Sequence, residues 1–139
     1  MDASMIFVFA AIVIIGALLL ALITFTHRGV KPLAVEKYRS SWMTIERQLK
    51  KDDVASLHVC VLSADKLLDQ ALRERGFKGD TMGERMKAAK NIWTNANQVW
   101  NAHKLRNRIA HETDVVVKYD DVRRHLSAYK RALMDVGAI

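Results

Sequence analysis

The sequence predicts an all-α protein in which an N-terminal transmembrane helix precedes an antiparallel bundle of four or five helices. The segment from Ala3 to Thr26 carries no charged side chain. Beyond residue 33, apolar residues recur at steps of three and four, which is the spacing of one helix face. No alternating, strand-like run is longer than DVVVKY. These observations divide the chain into an anchor (1–26), a linker (27–33) and a helical domain (34–139).

The charge-free segment is long enough to span a lipid bilayer. As a helix it extends roughly 36 Å, against about 30 Å for the hydrocarbon core. A cleaved signal peptide would have a basic start, a shorter apolar stretch and small residues at a cleavage site. Here only Asp2 precedes the segment, and ITFTHRG follows it. A buried core helix of this length would need a large domain to cover it. We therefore expect a membrane-spanning helix.

The distribution of charge predicts the orientation of this helix. All 22 Lys and Arg residues follow it, and Arg28 and Lys31 flank it closely. The positive-inside rule therefore predicts a single-pass protein with its N-terminus outside and its C-terminal domain in the cytoplasm. A single cysteine, Cys60, cannot form an internal disulfide and is compatible with a reducing compartment.

The domain beyond the anchor is strongly basic. The whole chain has a formal charge of +7, and Asp2 is the only acidic residue that precedes the domain. A positive domain beside a membrane can contact anionic lipid headgroups or nucleic acid. Charge alone does not decide between these two partners.

Start and stop signals outline the first helices of the domain. The first helix is predicted over residues 34–50. The second is predicted to begin at Asp52 or Asp53, either of which can cap it, and to end at Gly76.

Thr81 and Glu84 have the spacing of a capping box and predict a third helix over residues 82–93. This helix either stops there or continues after a kink through ANQVWNAHKLRNRIAHE. A last helix is predicted to be capped by Asp120 or Asp121 and to end at Gly137.

Several aromatic residues and histidines are predicted to be structural. They share positions within apolar helical stripes, where packing is a commoner role than ligand binding. The residues are Trp42, Trp93, Trp100, His58 and His125. Cys60, within VCVL, is likewise expected in the core.

The stretch NAHKLRNRIAHET, residues 101–113, concentrates the polar groups that could carry chemistry. His103, Asn107 and His111 lie four residues apart, so on a helix they share one face. Arg106 is offset by about 140° from His111, because each residue turns the helix by about 100°. Arg106 and His111 of one chain would not touch easily. Two copies of the helix across a two-fold axis could bring them into one cleft.

RNRIAH, residues 106–111, matches the R-N-x-x-x-H signature of HEPN domains, which are all-helical nucleotide-binding modules and RNases. The longer string AHKLRNRIAHE also resembles HEPN-type sequences, and the resemblance covers roughly residues 34–137. It implies metal-independent RNA cleavage by a homodimer, as in toxins of the family. By this resemblance His111 would transfer protons, Arg106 would bind the phosphate and Asn107 would orient either group.

His103 and Glu112 are secondary candidates for the site. No cofactor is expected, and no cluster has metal-ligand spacing. The resemblance also implies RNA as a partner and a separate nucleotidyltransferase or another protein. The anchor helix adds the lipid bilayer.

Two non-enzymatic interpretations stay open at this point. HEPN-like domains also serve as dimerisation, nucleotide-binding or docking modules, and this chain could be such a membrane-anchored adaptor. Alternatively, the bundle could support a larger envelope complex. In either case His111 would bond a carbonyl near a helix end, and Arg108 and Glu112 would form an ordinary surface pair.

Overall fold

The computed structural model describes residues 2–26 and 32–139, which contain six helices and no strand. The helices are α1 (Ala3–Thr26), α2 (Val35–Gln48), α3 (Val54–Glu74), α4 (Met82–Ala88), α5 (Ala96–His111) and α6 (Tyr119–Val136). The chain divides into two units, one holding α1 and the other holding α2–α6. The predicted all-α class is confirmed for this part of the chain. The predicted basic flank, Arg28 and Lys31, lies outside the described residues.

The α1 helix is apolar around its whole circumference. Every side chain described between residues 3 and 24 is exposed. The hydroxyl of Thr24 donates back to the carbonyl oxygens of Leu20 and Ala21, at 2.9 and 3.0 Å, so this polar group is satisfied within the helix. Such internal satisfaction is what a hydrocarbon environment requires. The helix is long and apolar enough to cross a membrane.

The α2 helix forms one side of the domain and is slightly shorter than the predicted 34–50. It buries Tyr38, Trp42 and Ile45, which recur at steps of four and three. The indole of Trp42 donates to Glu46 at 2.7 Å, and Lys130 of α6 donates to the same carboxylate oxygen at 3.1 Å. These contacts attach α2 to α6.

The α3 helix is the centre of the domain, because it packs against α2, α4, α5 and α6. Asp53 caps its start by accepting from the backbone N–H of Ser56 at 3.1 Å, which decides between the two predicted caps. Gly76, at φ 86°, follows its end as predicted. Cys60 is fully buried, as expected.

The α4 helix is shorter than predicted, and the chain breaks before α5. The capping box of Thr81 and Glu84 is present as predicted. The helix nevertheless ends at Ala88, so the predicted extension to residue 93 is wrong, and so is a kinked continuation. Two side-chain bonds hold the break: the indole of Trp93 donates to the Met86 carbonyl at 3.0 Å, and Thr94 bonds Asp135 of α6.

The α6 helix begins earlier than predicted, at Tyr119, with Lys118 at the cap position and no side-chain cap. The prediction of Asp120 or Asp121 as the cap is therefore wrong. Both carboxylates lie in the first turn, where the helix dipole favours negative charge. Gly137, at φ 80°, ends the helix as predicted.

Candidate functional site

The centre of the candidate site is a buried carboxylate, Asp65, in the middle of α3. Its side chain is only 4% exposed, and its neighbours on the same stripe, Val61 and Leu68, are fully buried. A buried carboxylate is costly unless charge and hydrogen bonds compensate for the lost water. Asp65 was not among the predicted site residues. Its signal was available, because Asp65 falls on the apolar stripe of an otherwise regular amphipathic helix.

Two side chains from two other helices lie within hydrogen-bond distance of Asp65. The Nδ1 atom of His103 on α5 lies 2.8 Å from Oδ1, and the hydroxyl of Tyr129 on α6 lies 2.8 Å from the same oxygen. The three groups therefore connect α3, α5 and α6 at one point in the core. Burial, and next the Asp65 carboxylate, raise the pKa of Tyr129 well above its ordinary value, so its hydroxyl stays a donor.

Arg106 supplies a positive charge to the same carboxylate. Its Nε atom lies 3.2 Å from Asp65 Oδ2, while the side chain as a whole is 35% exposed. The Nε atom is buried and has no aligned hydrogen-bond partner. The contact with Asp65 is therefore a close charge pair without a well-directed hydrogen bond.

Asn107 closes the network into a ring. Its Oδ1 accepts from Arg106 Nη1 at 3.0 Å, and its Nδ2 lies 3.3 Å from His103 Nε2. Because Nδ1 of His103 faces a carboxylate oxygen, Nδ1 is the donor in that contact, and in a neutral imidazole Nε2 can then accept from the amide. Each donor in the ring thus faces an acceptor. His103, Arg106 and Asn107, three of the predicted site residues, are brought together around Asp65.

The last residue of α5, His111, does not join this network. It is exposed, and its imidazole makes no hydrogen bond within the described part of the chain. The predicted shared face of His103, Asn107 and His111 therefore runs from buried to exposed, because α5 leaves the core towards its end. Glu112 pairs with Arg108 at 3.3 Å on the surface, as the structural interpretation predicts.

The connector between α5 and α6 passes beside the first half of α3. His58 Nε2 lies 3.0 Å from the carbonyl oxygen of Val115, and His125 Nδ1 lies 2.6 Å from the Asp121 carbonyl. Both histidines are thus structural, as predicted. Val116 in the connector and Val59, next to His58, remain 87% and 48% exposed.

Among residues 2–26 and 32–139, no group of three or more His, Cys, Asp or Glu side chains has the arrangement of a metal site. The polar network uses one carboxylate and one imidazole, and both are already engaged by protein donors and acceptors. Its chemistry is that of a hydrogen-bonded charge cluster.

Comparison of the chain with family models, with curated proteins and with solved structures finds no match.

Proposed function

We propose that this protein is a membrane-anchored, HEPN-like binding module that works as a homodimer on the cytoplasmic side of the membrane. The closed network around Asp65 is the observation that carries the proposal. It engages Arg106 with a carboxylate and an amide of its own domain. A guanidinium compensated in this way is a weak phosphate ligand, because an incoming phosphate must first displace Asn107 and compete with Asp65.

The exposed valines of the domain support a homodimer. Val116 and Val59 expose apolar surface on neighbouring segments, close in sequence to His58 and Val115, which hold those segments together. Apolar surface exposed on adjacent segments is typical of interaction surfaces. We place the contact between two copies at this surface.

The cytoplasmic placement rests on charge. All Lys and Arg residues follow α1, so the domain that they belong to stays on the inside by the positive-inside rule. Tethering the domain to the membrane also raises its local concentration at any partner there.

A second candidate function is metal-independent endoribonuclease activity, as the HEPN resemblance implies. The specific observation in its favour is His111, which is exposed and unengaged on the helix that carries the partly exposed Arg106. A free imidazole can take the proton of an RNA 2′-hydroxyl or protonate the leaving oxygen. The site would need a second chain, with RNA as its substrate and a nucleotidyltransferase as a plausible regulator.

Cross-linking of the full chain in nanodiscs tests the dimer surface. Cys60 is fully buried, so an introduced surface cysteine reacts selectively. We expect Val116→Cys to give a covalent dimer with a short bismaleimide, and the control Thr44→Cys, on the exposed face of α2, to give none. A monomeric pattern in both variants contradicts the proposed dimer.

Incubation of the same preparations with single-stranded RNA separates the two candidate functions. A binding module leaves the RNA intact. RNA cleavage that persists in the presence of a chelator and is lost in His111→Ala would contradict the binding-module function and support the endoribonuclease function.

A further inference from the structure

The ring around Asp65 consists of three hydrogen bonds and one charge pair, and Arg106 takes part in two of these contacts. We infer that His103 is a positioning residue for Arg106: a proton on His103 Nε2 reverses the Asn107 amide and releases the Arg106 guanidinium. The inference rests on the proposed function only in treating Arg106 as a group that can meet an anionic partner.

In the neutral state, each bond of the ring fixes the next. Asp65 Oδ1 accepts from His103 Nδ1, so the lone pair of the imidazole lies on Nε2. That lone pair accepts from Asn107 Nδ2, at 3.3 Å. The amide oxygen is thereby turned towards Arg106, whose Nη1 donates to it at 3.0 Å. Arg106 is held in place.

A second proton on His103 makes this arrangement inconsistent. Nε2 becomes a donor and then faces the amide nitrogen of Asn107, which is also a donor. Rotation of the amide restores an acceptor to Nε2 but turns Nδ2 towards Arg106 Nη1. Because an arginine has no acceptor, two donors now face each other there. Among residues 2–26 and 32–139, the aligned hydrogen bond of the Arg106 side chain is the one to Asn107, and this rotation removes it.

The charges near His103 also weaken the hold on Arg106 when His103 takes a second proton. The helix α5 packs mainly against α3 and α6, which place Asp65 and Tyr129 at the imidazole end of the ring. Tyr129 stays neutral, because burial raises its pKa. An imidazolium neutralises part of the Asp65 charge that attracts Arg106, and it repels the guanidinium as a like charge. The uncharged ring of Trp100 also meets that of His103, edge-on at 6.1 Å between centroids.

The release would turn a structural arginine into a surface one. Arg106 is already 35% exposed, so its guanidinium reaches solvent without unfolding of α5. In the neutral state the domain offers no free guanidinium at this position. In the protonated state it offers one that can form two parallel bonds to a phosphate or carboxylate.

Nitrogen NMR on the full chain in nanodiscs, labelled with ¹⁵N at His and Arg, tests the inference. The titration runs from about pH 8 to about pH 5, where histidines ordinarily change charge. We expect His103 to carry its proton on Nδ1 at the upper end. As it takes the second proton, the Arg106 Nε order parameter should fall with the same midpoint.

Asn107→Asp is the matched variant. A carboxylate accepts from both a protonated Nε2 and the guanidinium, so Arg106 should stay ordered at every pH. His111→Gln, which alters an exposed histidine outside the ring, should reproduce the wild-type titration. The inference is overturned by a proton on Nε2 at the upper end, by a His103 that does not titrate, or by an Arg106 that stays ordered throughout. The NMR measurement depends neither on dimerisation nor on RNA cleavage. The inference about His103 can therefore fail while the proposed function stands, and the proposed function can fail while the inference stands.

Discussion

His103 and His111 lie two turns apart on α5, yet one is a buried part of a charge network and the other is a free surface imidazole. His103 is 9% exposed and bonds Asp65, whereas the imidazole of His111 is exposed and bonds no described residue. The two positions share a helix face but not a depth, because α5 extends beyond the core. Residue spacing thus gives the direction of a side chain, and only packing gives its burial. Three predictions probe this contrast.

The largest effect is expected at the buried end, from Asp65→Ala. The substitution leaves two donors and a guanidinium without their acceptor, and loss of one member of a buried charged cluster costs about 3–5 kcal/mol. All three tryptophans lie in the helical domain, so their fluorescence in a denaturant titration of the full chain reports on that unit. Lys66→Ala, at the exposed neighbouring position, is the control. Equal midpoints for the two variants would mean that Asp65 contributes nothing.

An intermediate effect is expected from Tyr129→Phe. The change removes one hydroxyl donor from Asp65, which keeps His103 on the same oxygen. A hydrogen bond to a charged group contributes about 1.5–3 kcal/mol, so the free energy of unfolding should fall by less than in Asp65→Ala. The same fluorescence titration measures it. A loss as large as that of Asp65→Ala would mean that the tyrosine, and not the carboxylate, organises the network.

The smallest effect is expected at the exposed end, from His111→Ala. Substitutions of exposed side chains that make no hydrogen bond or ion pair usually change stability by less than about 0.5 kcal/mol. The denaturation midpoint should therefore match that of the wild type, which also makes this variant a clean probe of nuclease activity. A larger loss of stability would place His111 in contacts of its own and remove the contrast between the two histidines.

Local signals in the sequence predicted much of the fold. The caps at Asp53 and at Thr81 with Glu84, and the stop at Gly137, each depend on a few neighbouring residues. The break before α5 was not predictable in the same way. It depends on a bond between Thr94 and Asp135, which are distant in sequence.

The candidate site was predictable only in part. The helical spacing of residues 103 and 107 correctly placed His103 and Asn107 within reach of each other. The residue at the centre, Asp65, lies on a different helix. Tyr129, whose hydroxyl also donates to Asp65, lies on a third. Spacing along one helix contains no information about such partners. Buried polar positions on the other helices would have been the signal to follow.

The meeting of three helices at Asp65 also limits how they can slide along one another. Apolar contacts are not directional, so after a shift of one turn, about 5.4 Å, Leu, Val and Ala side chains still meet other apolar side chains. Asp65 does not tolerate such a shift, because it would separate its carboxylate from both His103 and Tyr129, which lie 2.8 Å away. The network therefore sets the register of the domain and rejects near-native packings that the apolar core alone would accept.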